Sequence, residues 1–295
     1  MLKTYAKGAA QSARLRLRPA AGGDLSRVAG DASPRRVREF TAAAQKVAEF
    51  CRVVHEPVAD AVPVTYLHAE AFAESMELMS AREFPLPLVG MVHLANTVTQ
   101  HEPVRVGEAV RATVWIEEIR AHAKGTEVVV ATRFEVAGRL RVEETSTMLA
   151  KGVHVRGAAE AVVRERREFT PGTPVLQWRF TGGDASAYAR VSGDRNPIHL
   201  NGAAAKAFGF PTRIAHGMYT AARALAAAQV RTRPFTWEVE FASPVLLPAR
   251  VDVGVRRVRG EGEHGAEVLE TEVLETEVWS PKKGKLHMRS RLELS

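Results

Sequence analysis

The sequence predicts an α+β protein made of two copies of one plan, each an antiparallel sheet curled around a central long helix. Three observations carry that prediction. Helical stretches are followed by runs of strand-like segments, not by the single-strand alternation of a parallel doubly wound sheet. The same order of elements occurs twice along the chain. Short anchors also recur: Pro63 precedes His68 by five residues as Pro211 precedes His216, and HEPVRVGEAVRATV lies over ASPVLLPARVDVGV with Pro103 on Pro244.

In the first copy, VREFTAAAQKVAEFC (37–51) is read as the first helix and VPVTYLHAEAFAESMELM (62–79) as the long one. GMVHLANTVTQHEPVRVGEAVRATVWIEEI and EVVVATRFEVAGRLRVEETSTMLAKG are strands, with Val128, Val130, Thr132, Phe134 and Val136 on one face. RGAAEAVVRERREFTPGTP, a charged run ending in Pro/Gly punctuation, marks the boundary, which divides the chain into residues 1–157 and 158–295. In the second copy, VLQWRFTGGDASAYARVSGD is a strand and then a helix opened by a capping residue, Thr181 or Asp184. RNPIHLNGAAAKAFGFP is a turn and a short Ala-rich helix ending near Gly209 and Pro211. IAHGMYTAARALAAAQ is the long helix, its alanines allowing a sheet to wrap closely. FTWEVEFASPVLLPARVDVGVRRV opens the strands, and KLHMRSRLEL closes them with Leu286, Met288, Leu292 and Leu294 on one face.

Composition narrows the class. At 45% hydrophobic and 25% charged residues the chain has ample material for a core. No run of apolar residues is long enough for a membrane span. A single cysteine, Cys51, excludes a disulfide framework and favours a reducing, cytoplasmic setting. The net charge is +7, and residues 1–40, with nine Lys/Arg against three Asp/Glu, hold six of it. An excess confined to one terminal segment reads as a solvated basic surface or an attraction for an acidic partner. No aromatic-basic interleaving, zinc spacing or basic heptad helix points to nucleic acid. The first residues are Arg-rich and acid-poor, as in a transit peptide, although ARLRLRP also fits a strand.

The chemistry concentrates in YARVSGDRNPIHL (188–200). An Asn196-Pro197 turn brings Asp194 and His199 to one point, where a carboxylate and an imidazole can hold a water and exchange its proton. Alone, such an Asp is usually a cap and such a His a satisfied polar residue. The pair gains weight from His216-Gly217-Met218, seventeen residues beyond His199, at the start of the long helix. Gly217 there offers an open backbone N–H at an electropositive helix N-terminus, a place for a developing oxyanion. This combination suits addition or removal of water beside a carbonyl.

Ser192-Gly193-Asp194-Arg195-Asn196-Pro197-Ile198-His199, followed by AHGM, closely resembles the signature of the MaoC-like (R)-specific enoyl-CoA hydratases and 3-hydroxyacyl-thioester dehydratases. The resemblance is strong over 170–295, while residues 1–155 are similar only to the degenerate first half of two-domain members. It implies a double hotdog fold whose halves pair with each other, with a further homodimer possible. It implies Asp194 and His199 as the water-positioning pair and Gly217 as the oxyanion donor. Asn196 would buttress the loop, and His216 joins it in the substrate-binding set. Arg195 and Arg213, with Arg190 and Lys206, flank the site and are candidates to meet the phosphates of a CoA or acyl carrier protein thioester. No metal and no cofactor are implied, since no Gly-rich phosphate loop follows a strand and the histidines lack metal spacing.

From Val47 against Tyr188 to the anchoring proline, the first copy is seven residues shorter, and what it lacks is the Asp-to-His segment. One active site per chain is therefore expected, with the empty half widening the groove for a long acyl chain. In this alignment His68 stands at His216 and Ala69 at Gly217, and His68 and His93 are expected to pack at an edge or contact solvent. Beside the hydratase/dehydratase reading stand a thioesterase of the same fold and a non-catalytic acyl-thioester binder; a nucleic-acid binder rests on charge alone.

Overall fold

The computed structural model describes residues 7, 8, 10–12, 25, 28–162, 168–259 and 272–294. ARLRLRP lies outside them, as do residues 163–167 of the charged run. Ten strands form one antiparallel sheet. The first half contributes β1 (Arg36–Thr41), α1 (Ala44–Val54), α2 (Val64–Met79), β2 (Val92–Gln100), β3 (Ala109–His122), β4 (Gly125–Val136) and β5 (Arg139–Lys151). The second contributes β6 (Leu176–Phe180), α3 (Gly182–Ser192), α4 (Pro197–Leu200), α5 (Gly202–Ala207), α6 (Gly217–Ala228), β7 (Phe235–Phe241), β8 (Ala249–Arg259), β9 (Glu272–Trp279) and β10 (Leu286–Leu294).

The strand order β1-β3-β4-β5-β2-β7-β10-β9-β8-β6 reads the same from either edge once each half is renumbered. The halves meet where β2 pairs with β7, from Ala95↔Glu240 to Gln100↔Phe235. Each half is a five-stranded antiparallel sheet curled around its long helix, α2 or α6. The alanines of α6 serve that purpose: Ala221, Ala222, Ala224 and Ala226 are all buried, where larger side chains would hold the sheet away. β10 alternates strictly between buried and half-buried positions, with Leu286, Met288, Leu292 and Leu294 inside. All four tryptophans are buried. Among the described residues, no helix is long and apolar enough to cross a membrane.

Three expectations need correction. The stretch 37–51 is not one helix: Arg36–Thr41 forms an edge strand on β3, and the helix begins at Ala44. Its alternating RVREFT pattern, matching LQWRF before α3, is the strand signal that helical periodicity overrode. First-half contacts reach beyond 157/158, because Ala159 bonds to both Ile119 and Ala121 of β3. The alignment of the copies also shifts. Val62 N–H bonds Val104 O as Ala215 N–H bonds Val245 O, and Val106 N–H bonds Asp60 O as Leu247 N–H bonds Arg213 O. Pro103 therefore does lie on Pro244, but Pro63, the cap of α2, corresponds to His216, the cap of α6. Val64 takes the place of Gly217, and His68 lies opposite Ala221. The left-handed caps His55 and Gly193 also correspond. Eight residues separate His55 from Pro63 and twenty-three separate Gly193 from His216, so the first half lacks fifteen residues, not seven.

Candidate active site

Those fifteen residues carry the loop. α3 opens with a reciprocal capping box: Asp184 N–H donates to Thr181 Oγ1, and Thr181 N–H donates to the Asp184 carboxylate. The helix closes at Gly193, whose φ of 75° suits a residue without a side chain. The chain then folds back through short local bonds. Ser192 Oγ donates to the Tyr188 carbonyl (2.8 Å) and accepts from Asp194 N–H (3.2 Å). Asp194 Oδ1 accepts from Asn196 N–H at 3.1 Å, so the carboxylate is aimed by the next turn of its own loop. Asn196 caps α4 by accepting from Ile198 N–H, and Pro197 at the first helical position presets the backbone. The expected buttressing by Asn196 thus takes the form of a helix cap.

His199 is buried, with Nδ1 2.9 Å from the Ile214 carbonyl. A carbonyl only accepts, so Nδ1 carries the proton and Nε2 is the acceptor in the neutral ring. Ile214 is itself bridged to Leu246, which ties the imidazole to the sheet. His216 donates from Nε2 to the Asp194 carbonyl at 3.0 Å and stacks on His199 with ring centroids 3.8 Å apart. Burial, reinforced by His199, pushes the His216 imidazole down to about 3, so it is neutral at physiological pH. Asp194 Oδ2 lies 3.9 Å from Nε2 of both rings. The separation from His199 is too long for a direct hydrogen bond and suits one water held between the two.

Gly217 is the first residue of α6, so its N–H has no intrahelical carbonyl to bond. A Cβ at that position would come within 3.1 Å of the Phe241 ring. A side chain there would crowd Phe241, and Gly217 lines the same cavity wall as the Asp194–His199 pair. All of these groups line one cavity of about 940 Å³. Asn196 and His216 are in its wall; Arg195 and Arg213 are not. Arg195 is exposed, and the Arg213 guanidinium lies where a Gly182 side chain would be. Asp194, His199 and His216 are also the group among the described residues whose ligand atoms all lie within 4.8 Å of one another. There, His216 Nε2 is already taken by the Asp194 carbonyl, and His199 joins the set by stacking on His216.

The cavity extends into the first half, where it is lined by Met76, Met79, Leu88, Met91, Val130 and Met148. His68 and His93 line it as well, contrary to the expectation that they pack at an edge or meet solvent. His68 Nδ1 contacts Glu144, which also accepts from Asn96 Nδ2 at 2.6 Å. Burial disfavours charge on both partners, yet each holds the other ionised: His68 is raised above the ordinary imidazole value and Glu144 lowered below the ordinary carboxylate value. No short motif announces this cluster. Its sequence signal is polar residues, Asn96 and Glu144, at positions that alternate with Val98 and Val142 on the buried faces of their strands.

The MaoC like domain family matches residues 158–278. The chain is 36% identical over 228 residues to 3-hydroxyacyl-thioester dehydratase X of Mycobacterium tuberculosis, covering 77% of this chain and 80% of that protein. It is 44% identical over 90 residues, 28% of this chain and 56% of the relative, to a 3-hydroxybutyryl-CoA dehydratase of Methylorubrum extorquens. The crystal structure of HtdX of Mycobacterium tuberculosis superposes with a TM-score of 0.72 at 31% identity, over 88% of this chain and 99% of that one. With its double hotdog fold and its Asp-x-Asn-Pro-x-His loop, the chain belongs to the MaoC-like family of 3-hydroxyacyl-thioester dehydratases.

Proposed function

We propose that this protein is a hydro-lyase that interconverts trans-2-enoyl and (R)-3-hydroxyacyl thioesters in fatty-acid metabolism. The observation that carries the reading is the 3.9 Å gap between Asp194 Oδ2 and His199 Nε2, on the cavity wall beside the open N–H of Gly217. In the hydration direction, Asp194 and His199 hold a water whose oxygen bonds to C3 as the C2–C3 π bond opens. The electron pair moves onto the thioester oxygen, where the Gly217 N–H meets the growing negative charge. One proton of that water passes through the pair to C2, which restores the carbonyl. Dehydration retraces the same steps.

The thioester is carried by CoA or an acyl carrier protein, and exposed Arg195, between two cavity-lining residues, supplies positive charge at the rim for a phosphate of either. The acyl chain runs into the methionine-rich first half. We place the division between the halves within residues 160–175. The site of action is cytoplasmic, and each chain has one active site.

The test is direct. Purified protein is mixed with trans-2-enoyl-CoAs of four to sixteen carbons, and enoyl absorbance and free thiol are followed together. Loss of absorbance without free CoA is expected, with an (R)-3-hydroxyacyl product on a chiral column. Release of CoA would assign a thioesterase, and no change at any chain length would leave only binding.

A further inference from the structure

The second half fills the space beneath its long helix with Ala221, Trp237, Ser290 and Leu292. The pairings Val98↔Glu144 and Val239↔Ser290, with His101 N–H on Arg141 O and Ala242 N–H on His287 O, identify the first-half counterparts as His68, Asn96, Glu144 and Ser146. A packed layer that is apolar but for Ser290 in one half is thus a polar network in the other, on the wall of the acyl channel. Polar groups in an apolar channel are costly unless something bonds them.

The network ends in two histidines on the cavity wall. His68 meets Glu144 through Nδ1, and Glu144 raises its pKa against burial, which favours the doubly protonated ring whose Nε2–H is a donor on the cavity wall. His93 sits one ring away, its centroid 6.2 Å from that of His68 and its plane within 15°. A backbone bond at Ala95 favours the protonated ring, so His93 donates there. Its Nε2 is buried with no hydrogen-bond partner. Burial and the neighbouring His68 cation hold this ring down to about 4, so Nε2 is an acceptor. A donor and an acceptor side by side match one chemical group, a hydroxyl, which accepts from one and donates to the other. One oxygen making two ordinary hydrogen bonds spans roughly 4.5–5 Å between their nitrogens. The His93 ring also packs 5.0 Å from Phe241, the ring that abuts Gly217. The two nitrogens therefore lie a short way along the acyl chain from the reacting carbons.

We propose that His68 and His93 form a hydroxyl-reading subsite, so that the preferred thioester carries a second hydroxyl on its acyl chain beyond C3. This inference rests on the hydro-lyase reading above. It makes the first half a selector of substrate as well as a container for it.

The experiment compares kcat/KM for trans-2-octenoyl-CoA with the same thioester bearing a hydroxyl at C5, C6, C7 or C8. Wild-type protein is expected to favour one of these positions over the plain chain by at least ~10-fold, the scale of one buried hydrogen bond made or left unmade. His93→Leu should bring that ratio close to one. His68→Gln, which keeps a hydrogen bond to Glu144, should lower it in part. A ratio near one at all four positions in wild type would overturn the subsite while leaving the hydro-lyase reading intact. A preference that neither variant moves would also overturn it. If octenoyl-CoA and all four hydroxylated thioesters go unhydrated, the underlying reading fails instead, and the subsite with it.

Discussion

The two halves share a backbone plan but place different chemistry at matching points. Phe50 packs edge-on to Tyr66 at 5.6 Å, and their counterparts Tyr188 and Tyr219 lie 5.4 Å apart. Phe50 and Tyr188 also touch each other across the pseudo-twofold axis. Around that shared aromatic core the halves diverge twice. At the mouth of the long helix, the second half has Gly217 after a fifteen-residue excursion, whereas the first has Val64 after a direct connection. Beneath the helix, the second half is filled by Trp237 and the first is opened by Asn96 and its polar neighbours. The halves have therefore specialised at opposite ends of one cavity. The second half sets a loop beside a bare helix N-terminus, and the first, which has no loop there, carries a smaller side chain where the second has Trp237.

The strongest way to break this comparison is to remove what only the second half has. Asp194→Asn keeps the acceptor for Asn196 N–H but loses the charge, and His199→Ala removes the other side of the water site. Each should lower kcat by at least ~10²-fold, the usual contribution of a positioned acid or base. Circular dichroism and melting temperature should stay near wild type for Asp194→Asn. Near-normal turnover in either folded variant would mean that the loop is structural and that other groups in the cavity carry the reaction.

A sharper and smaller effect comes from giving the second half the residue of the first. Gly217→Val copies Val64 and drives a branched side chain against Phe241, with the first added carbon already at 3.1 Å. Turnover should fall by ~10–10²-fold as the oxyanion donor is covered or displaced. Phe241→Ala in the same chain should restore part of it by clearing the collision. Failure of the second substitution to help would argue that Val acts by distorting the helix cap and not by crowding the ring.

Much of this was readable from the residues, and the misreadings have physical causes. The loop was legible because Asp194 and Asn196 act through local bonds two residues long and Pro197 presets the turn, so spacing carries geometry. Gly217 was legible because a helix start is a local event. The His68–Glu144–Asn96 cluster was not, since Glu144 meets His68 across 76 residues, and only sheet register together with the packing of α2 on the sheet assembles it. The helix anchor slipped by five residues because proline marks both the cap of α2 at Pro63 and the loop before α6 at Pro211, and an isolated proline does not say which. The edge strand at Arg36–Thr41 was lost to the helix that follows it, since two residues of spacing leave no punctuation between the two periods.

The smallest expected effect tests the ion pair beneath α2, which the second half lacks. His68 has its folded-state pKa raised by Glu144 against the effect of burial, so its contribution to stability is fully present below the unfolded value near 6.5 and is lost as pH rises through the folded value. Glu144 has its folded-state pKa lowered by His68 and Asn96 against burial, so its contribution is present above the unfolded value near 4.5 and is lost as pH falls through the folded one. Both terms act together between those limits. Glu144→Gln keeps a partner for Asn96 but removes the charge that holds the His68 proton. The difference in unfolding free energy between wild type and Glu144→Gln should be largest between pH 4.5 and 6.5, on the order of 1–3 kcal/mol. It should then shrink as pH climbs, because an unprotonated His68 leaves Glu144 as a buried charge in wild type alone. Urea denaturation of both proteins across pH 4 to 9 measures it. A difference that stays flat or grows above pH 6.5 would mean that His68 and Glu144 are held by a neutral hydrogen bond, and the first half's interior would then lack the charged donor that sets it apart from the second.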